Sequence, residues 1–285
     1  MLILAAIPLG NPSDASVNLR EAIVCAKYIA AEDSRKFTRL CSDLGVTYSA
    51  KIISFFEGNE IERLDELVKI MESGSDLLVV TDAGMPGISD PGYRLARAAV
   101  ERNIQIKVLP GPSAVTTALL LSGLPSDRFC FDGFPPRTSG ARRSWFESLA
   151  NEVRTIILFE APHRLLECLA DAKTVLGPNR LGAICREMTK TYEEVIRGDL
   201  ETLHNWATER EILGEITLVI AGFDPDSRQF TTADLISQVL MQEAAGISRK
   251  EAIAEVARIT GMPKREVFDA MVSHKSQDGL GRIEP

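Results

Sequence analysis

Leu77-Leu78-Val79-Val80-Thr81-Asp82-Ala83-Gly84-Met85-Pro86-Gly87-Ile88-Ser89-Asp90-Pro91-Gly92 is the stretch that decides how the chain reads. Residues 77–80 are a short unbroken apolar run, with Gly74-Ser75 before it and Gly84 after it. A run of that kind reads as a strand of a parallel sheet, buried on both faces. The glycines of the following loop let backbone approach a ligand closely, and its prolines fix the loop's shape. Asp82 is a lone carboxylate at the strand's carboxyl end, where open α/β sheets bind ligands. The plain alternative is an ordinary turn aspartate.

Working outward, residues 2–7 repeat the device: an apolar run enters Pro8-Leu9-Gly10-Asn11-Pro12-Ser13-Asp14, and Asp14 or Ser16 can cap the next helix. Residues 28–31 and 52–56 read as strands, and Ile61, Leu64, Leu67, Val68 and Met71 follow helical spacing. Residues 104–109 read as a fifth strand, ending in Pro110-Gly111-Pro112-Ser113-Ala114 before a helix of small and apolar residues. Strands alternating with helices predict an N-terminal α/β domain over 1–122 with a mostly parallel sheet. Gly123-Leu124-Pro125-Ser126 breaks the pattern and begins a second α/β domain over 123–222. Its strands are predicted near 129–131, 155–159, 181–185, 192–197 and 215–221, and its helices near 141–149, 164–175 and 199–207. Residues 223–228 read as a linker. A helix-turn-helix-like appendage over 229–275 follows, with helices at 232–244, 249–260 and 264–273 and joints at Gly246-Ile247-Ser248 and Gly261-Met262-Pro263. The tail from Ser276 is expected to fray.

At 285 residues, 45% hydrophobic and 25% charged, the composition is that of a soluble globular protein with room for two domains. No apolar run approaches the ~20 residues of a membrane helix, and the first residues lack the basic start of a signal peptide. Cys25, Cys41, Cys130, Cys168 and Cys185 have neither zinc-ligand nor disulfide-framework spacing, so no metal is expected and they read as reduced core thiols of a cytoplasmic protein. A net charge of −8 permits nucleic-acid binding only where basic residues gather locally.

The loops at Pro8, Asp82 and Pro110 should converge at one edge of the first sheet. None is a dinucleotide fingerprint or a P-loop, and prolines in place of N–H donors make poor phosphate cradles. They suit a cation-bearing amino-acid or nucleoside ligand held by backbone groups and one carboxylate. The second half offers polar clusters at strand ends, Glu160-Ala161-Pro162-His163-Arg164 and Arg186-Glu187-Met188-Thr189-Lys190, and a basic loop, Arg137-Thr138-Ser139-Gly140-Ala141-Arg142-Arg143. No G-x-S-x-G supports a serine hydrolase.

Taken together with Ala31-Glu32-Asp33-Ser34-Arg35 and Gly123-Leu124-Pro125-Ser126-Asp127-Arg128-Phe129, these strings resemble, in order and spacing, the bacterial ribosomal RNA small-subunit methyltransferase I family. That family is a branch of the tetrapyrrole methylase fold, the class III methyltransferases. The resemblance covers residues 1–222 strongly and the C-terminal helices weakly. The chain departs from it in the first loop, in Gly58-Asn59-Glu60 where the family often has His-Asn-Glu, and in a less charged basic loop.

The resemblance implies S-adenosylmethionine-dependent 2′-O-methylation of a cytidine in 16S ribosomal RNA, by a homodimer acting on that RNA or on the small ribosomal subunit. It implies a cofactor held by Pro8, Leu9, Gly10, Asp82, Ala83, Gly84, Met85, Pro112, Ser113 and Ala114, completed by Phe159, Glu215 and Thr217. Arg35, Arg137, Arg142, Arg143, Arg164, Arg186 and Lys190 would meet RNA phosphate. Asp33, Glu160 and Glu187 are candidates for the base, since a carboxylate needs only hydrogen-bond reach of the hydroxyl. Two other readings are a C-methylating tetrapyrrole enzyme and a non-enzymatic nucleic-acid-binding regulator. The first would be expected to use a Gly-x-Gly-Pro-Gly-Asp-type loop, absent here; the second leaves the three ligand-type loops unexplained.

Overall fold

The computed structural model describes residues 1–224, 232–260 and 262–278. Residues 1–222 form one compact unit, and the residues from 223 onward form a second. Residues 225–228 of the predicted linker, residues 229–231 of the predicted appendage, Gly261 of its second joint and the tail after Asp278 lie outside the described residues.

The first sheet contains β1 (Leu2–Ala5), β2 (Tyr28–Ala31), β3 (Lys51–Ser54), β4 (Leu77–Val80) and β5 (Ile106–Leu109), all parallel, in the order β3-β2-β4-β1-β5. Burial on both faces explains the unbroken apolar run of β4. Leu77 and Val79 point to one side, against α3 (Glu60–Glu72) and α4 (Tyr93–Glu101). Leu78 and Val80 point to the other, against α1 (Val17–Cys25) and α2 (Ser34–Leu44). Ser16 caps α1 by accepting the Leu19 N–H at 3.0 Å. β3 ends two residues earlier than predicted, because Asn59 accepts the Phe56 N–H and turns the chain into α3. β5 likewise starts at Ile106, and Ile61 of the predicted helix stripe is exposed.

The chain leaves β1 towards β2 on one side and leaves β4 towards β5 on the other. The neighbouring carboxyl ends of β1 and β4 therefore form the switch point of the sheet, where a crevice opens.

The second sheet runs β6 (Phe129–Phe131), β7 (Thr155–Glu160), β10 (Ile216–Ile220), β8 (Leu181–Arg186) and β9 (Glu194–Asp199) in spatial order. Only β6 and β7 are parallel; the other pairs are antiparallel. β9 lies two residues later than predicted. α6 (Ser139–Leu149), α7 (Leu165–Leu176) and α8 (Leu200–Thr208) cover one face. The other face is covered by α5 (Ala114–Ser122), the helix that follows β5, through Val115, Ala118 and Leu119 on Ile157, Cys185 and Val219. α5 thereby ties the two sheets together.

In the second unit, α9 (Thr232–Ala244), α10 (Arg249–Thr260) and α11 (Lys264–Asp278) pack around Leu235, Val239, Val256 and Val267. α11 runs past Ser276 to Asp278. The five cysteines are free. Cys41, Cys168 and Cys185 are buried, whereas Cys25 is exposed and is not a core thiol. No helix among the described residues is long and apolar enough to cross a membrane.

Between α6 and α7 lies a buried ion pair. Arg142 is 1% exposed, and its Nε donates to Asp171 Oδ2 at 2.8 Å; Arg143 and Ser139 donate to Oδ1. Burial raises the Asp171 carboxyl, but the hydrogen bonds from Arg143, Ser139 and Arg142 outweigh it and hold the group below its usual value. Asp171→Ala would strand the Arg142 charge in the core and is expected to cost about 3–5 kcal/mol. Arg143→Ala removes a half-exposed partner and should cost at most about 1 kcal/mol. Urea unfolding followed by tryptophan fluorescence distinguishes them; equal costs would mean that burial of the pair is energetically irrelevant.

Candidate functional site

The Pro8 and Asp82 loops, predicted to converge, do so through backbone. Ile7 N–H donates to Gly84 O at 2.9 Å, and Gly84 N–H donates to Ile7 O at 3.2 Å. This reciprocal pair closes the loops after β1 and β4 against each other at the switch point. Gly84 sits at φ 71°, a conformation glycine adopts without strain. A cleft of about 410 Å³ opens there, walled on the other side by residues around β7 and β10. Leu9, Asp82, Ala83, Gly84, Met85, Ser113, Ala114, Phe159, Glu215 and Thr217 line it. Pro8, Gly10 and Pro112, predicted with them, do not line it. Gly10 instead faces the β8–β9 connection: a Cβ on it would run into Lys190 Cγ, and the neighbouring Asn11 N–H donates to Thr189 Oγ1 at 3.2 Å.

Aromatic and apolar side chains line the cleft together with carboxylates. Phe159 lies edge-on to Phe131 and Phe134, with ring centroids 4.7 and 5.8 Å away. Met85, Ile88 and Ile216 add apolar lining, and Glu32, Asp82, Asp90 and Glu215 bring the carboxylates. Asp82 accepts from Lys36 Nζ at 2.7 Å and from the Asp33 N–H at 3.2 Å, and its own N–H donates to Glu32 Oε2. Burial raises the Glu32 carboxyl, against the hydrogen bond from the Asp82 N–H. Burial also raises Asp90, to about 7, helped by the negative charges of Glu32, Asp82 and Glu215. A cleft that combines carboxylates with aromatic rings suits a cation with a flat heterocycle, the chemistry of a sulfonium nucleoside.

The base candidates are largely committed elsewhere. Asp33 is the N-cap of α2, accepting the Arg35 N–H at 2.8 Å and pairing with the Arg35 guanidinium; these bonds hold it far below the carboxylate range. Glu187 accepts from Lys190 Nζ and the Glu215 N–H, both at 2.9 Å; these outweigh burial and keep it low. Neither lines the cleft. Glu160 does, but its side chain is fully buried, its Oε1 accepts the Ala161 N–H at 2.8 Å, and Arg164 Nε lies 3.3 Å away.

The proposed RNA set is corrected at two points. Arg142 is the buried partner of Asp171 and cannot reach a phosphate. Arg164 is turned inward, donating to the carbonyls of Pro135 and Pro136. Arg186 pairs with Glu194, and Lys190 with Glu187 and Glu215. Arg35, Arg137 and Arg143 remain exposed, with Arg35 and Arg143 carrying carboxylate partners.

Sequence reasoning missed Glu32, Lys36, Asp90 and Phe134. The string 32–35 held the signal for the first, but capping took Asp33 and left Glu32 facing the cleft. Asp90 stood in a quoted motif, Ser89-Asp90-Pro91-Gly92, with the look of a turn residue.

Residues 1–204 match the family described as Tetrapyrrole (Corrin/Porphyrin) Methylases. The chain is 46% identical over its whole length to the Ribosomal RNA small subunit methyltransferase I of Mycobacterium tuberculosis (strain ATCC 25618 / H37Rv), covering 98% of that protein. Among solved structures, the methyltransferase CobJ matches with a TM-score of 0.57 at 16% identity, over 78% of this chain and 93% of that one. A uroporphyrin-III C-methyltransferase from Thermus thermophilus, solved with S-adenosyl homocysteine, matches with a TM-score of 0.53 at 14% identity, over 77% and 96%. The two structural matches establish the fold.

Because Asp90 ionises less readily folded than unfolded, its contribution to stability is intact at low pH and lost as the pH rises towards about 7. Asp90→Asn has no such loss. Urea midpoints are expected to show the variant gaining on the wild type from about pH 4 to about pH 7, then levelling. A pH-independent difference would mean that Asp90 titrates normally.

Proposed function

The chain belongs to the ribosomal RNA small subunit methyltransferase I family, within the tetrapyrrole methylases, and from that premise we propose that it methylates the 2′-hydroxyl of a cytidine in 16S ribosomal RNA, with S-adenosylmethionine as the donor. The observation that carries this reading is the switch-point cleft, lined by carboxylates and aromatic rings, in a chain with full-length similarity to that family. When bound, S-adenosylmethionine supplies an activated methyl group on a positively charged sulfur. Asp82 and Glu32 would face that charge or the ribose hydroxyls, with the backbone of Ala83, Gly84 and Met85 close by. Phe159 and Thr217 would flank the adenine, and Ser113 and Ala114 would close the site at the start of α5. Much of the rate would come from aligning acceptor, methyl and leaving sulfur. Labelled S-adenosylmethionine, offered naked 16S RNA or small-subunit particles and followed by nucleoside mapping, tests the acceptor. Methylation of a tetrapyrrole instead would favour the alternative enzyme.

The same reading makes the protein a cytoplasmic homodimer that meets RNA through Arg35, Arg137 and Arg143. Sedimentation as a monomer at micromolar concentration would remove the dimer from it.

S-adenosylmethionine binds only the folded chain in this reading, so it should raise the melting temperature. Asp82→Ala is expected to lose most of that shift; equal shifts would take Asp82 out of the site.

In the second unit, Arg249, Lys250, Lys264 and Arg265 line a groove beside the exposed ring of Phe268. Arg249 pairs with Glu243 and Arg265 with Asp269, so a bound phosphate would compete with those carboxylates. We assign this groove to RNA. Truncation after Gly222 is expected to leave cofactor affinity intact, lower RNA affinity and flatten its salt dependence, because fewer phosphates are neutralised. Loss of cofactor binding would place the helices in the catalytic fold. An unchanged salt slope would give them another role.

A further inference from the structure

Of the carboxylates that line the cleft, Asp90 alone has neither a cation nor an N–H to accept from among the described residues. Asp82 is held by Lys36, Glu32 by the Asp82 N–H, Glu215 by Lys190, and Glu160 by Arg164 and the Ala161 N–H. Glu160 keeps one oxygen, Oε2, unpartnered, but its side chain is fully buried beside Arg164; Asp90 is partly exposed in the cleft, with no partner on either oxygen among the described residues.

The loop that carries Asp90 is fixed at its base. Gly87 N–H donates to Pro91 O at 3.1 Å, and Ile88 N–H to Met85 O at 3.3 Å. Below it, the buried Glu60 accepts the Gly92 N–H at 3.0 Å and the Arg94 N–H at 3.2 Å. Ser89, next to Asp90, sits at φ 61°, an uncommon conformation for serine that persists only where the surroundings enforce it. Gly87 at φ 84° and Gly92 at φ 132° complete a backbone path that few sequences could follow. Pinned, strained loops of this kind recur at functional sites.

We propose that Asp90 is the catalytic base of the methyl transfer, accepting the proton of the attacking ribose hydroxyl; this rests on the acceptor proposed above. The ribose oxygen bonds to the methyl carbon as the carbon–sulfur bond breaks, and that bond's electron pair stays on sulfur. The hydroxyl proton passes to an Asp90 carboxylate oxygen and leaves later to solvent. A base is most useful when its pKa lies near the working pH, and burial among negative neighbours puts Asp90 at about 7. The groups acting on it are Glu32 after β2, Asp82 after β4, Glu215 before β10 and Glu57 before α3. Lys36, the cation of this cleft wall, is committed to Asp82. A sulfonium entering the cleft would lower the Asp90 pKa and ionise it, so loading of the donor would arm the base.

The test uses the full chain and Asp90→Asn, with Asp90→Glu as the conservative variant. Calorimetry at pH 7 in buffers of different ionisation enthalpy should show the wild type releasing more protons on binding S-adenosylmethionine than on binding the uncharged sulfide S-adenosylhomocysteine. Asp90→Asn should bind both and lose that difference. Single-turnover transfer to small-subunit particles should fall about 10²–10⁴-fold in Asp90→Asn. In the wild type, log rate of the donor-loaded protein should rise with pH and flatten below about 7, the value of Asp90 before the sulfonium lowers it; Asp90→Glu should keep a rising limb, and Asp90→Asn should not. An unchanged rate and pH profile in Asp90→Asn, or a proton-release difference that survives in it, overturns the assignment. So does a variant that binds donor poorly yet transfers at the wild-type rate once loaded. No transfer by the wild type to RNA or particles overturns the acceptor and, with it, this role; transfer by the wild type and by Asp90→Asn alike overturns the role alone.

Discussion

Two hydrogen bonds between Ile7 and Gly84 join loops that leave neighbouring strands in opposite senses. A parallel sheet cannot supply such a link by its own ladder, because the strands end before the crevice begins. Without it, the loops after β1 and β4 would each be a separate flexible segment over an open edge. With it, they form one surface whose position is set by the sheet. Everything proposed for the cleft depends on that surface, since Leu9 and the run from Asp82 to Met85 line the cleft. The second requirement is that the two sheets stay in register with each other, and α5 meets it by beginning in the first cleft wall and burying its apolar side on the second sheet.

The electrostatics of the site follow a simple division. Carboxylates that shape the loops are neutralised by neighbours, through Lys36, Lys190, Arg164 or backbone N–H groups. Like charges brought together and partly shielded from water raise one another's proton affinity. The cost of this arrangement falls on whichever group has no partner, and here that group stands on the most constrained loop. A chain of net charge −8 thus concentrates negative charge where a small cation would be received.

The fold was legible in the sequence because its signals are local. Four-residue apolar runs ending in Gly/Pro loops mark strands buried on both faces, and the helices between them carry ordinary spacing. Which polar residue faces the cleft was not legible, because it depends on pairings between distant segments. Asp33 and Glu32 are adjacent and alike in chemistry; the need of α2 for a cap decided between them. Arg142 and Arg143 look equivalent in a basic loop, yet one is in the core because Asp171 of α7 is waiting there. Asp90 reads as a turn residue until Glu60 is seen fixing the loop beneath it. Sequence spacing gives periodicity and turns; it does not give the partner of a charge.

The approach of Gly10 to Lys190 has a consequence for how the chain tolerates change. Gly10 has no positive-φ requirement; it is small because the stem of Lys190 occupies the space where a Cβ would go. Lys190 in turn is kept there by Glu187 and Glu215. Residues far apart in sequence therefore form one steric unit, and variation at either is conditional on the other. Relatives with a larger residue at position 10 would be expected to carry a shorter one at 190 and to lose the ion pairs that Lys190 makes with 187 and 215, leaving Glu187 only its bond to the 215 N–H. Drift at this corner of the cleft should thus proceed in coupled steps, visible as covariation between the first loop and the β8–β9 connection.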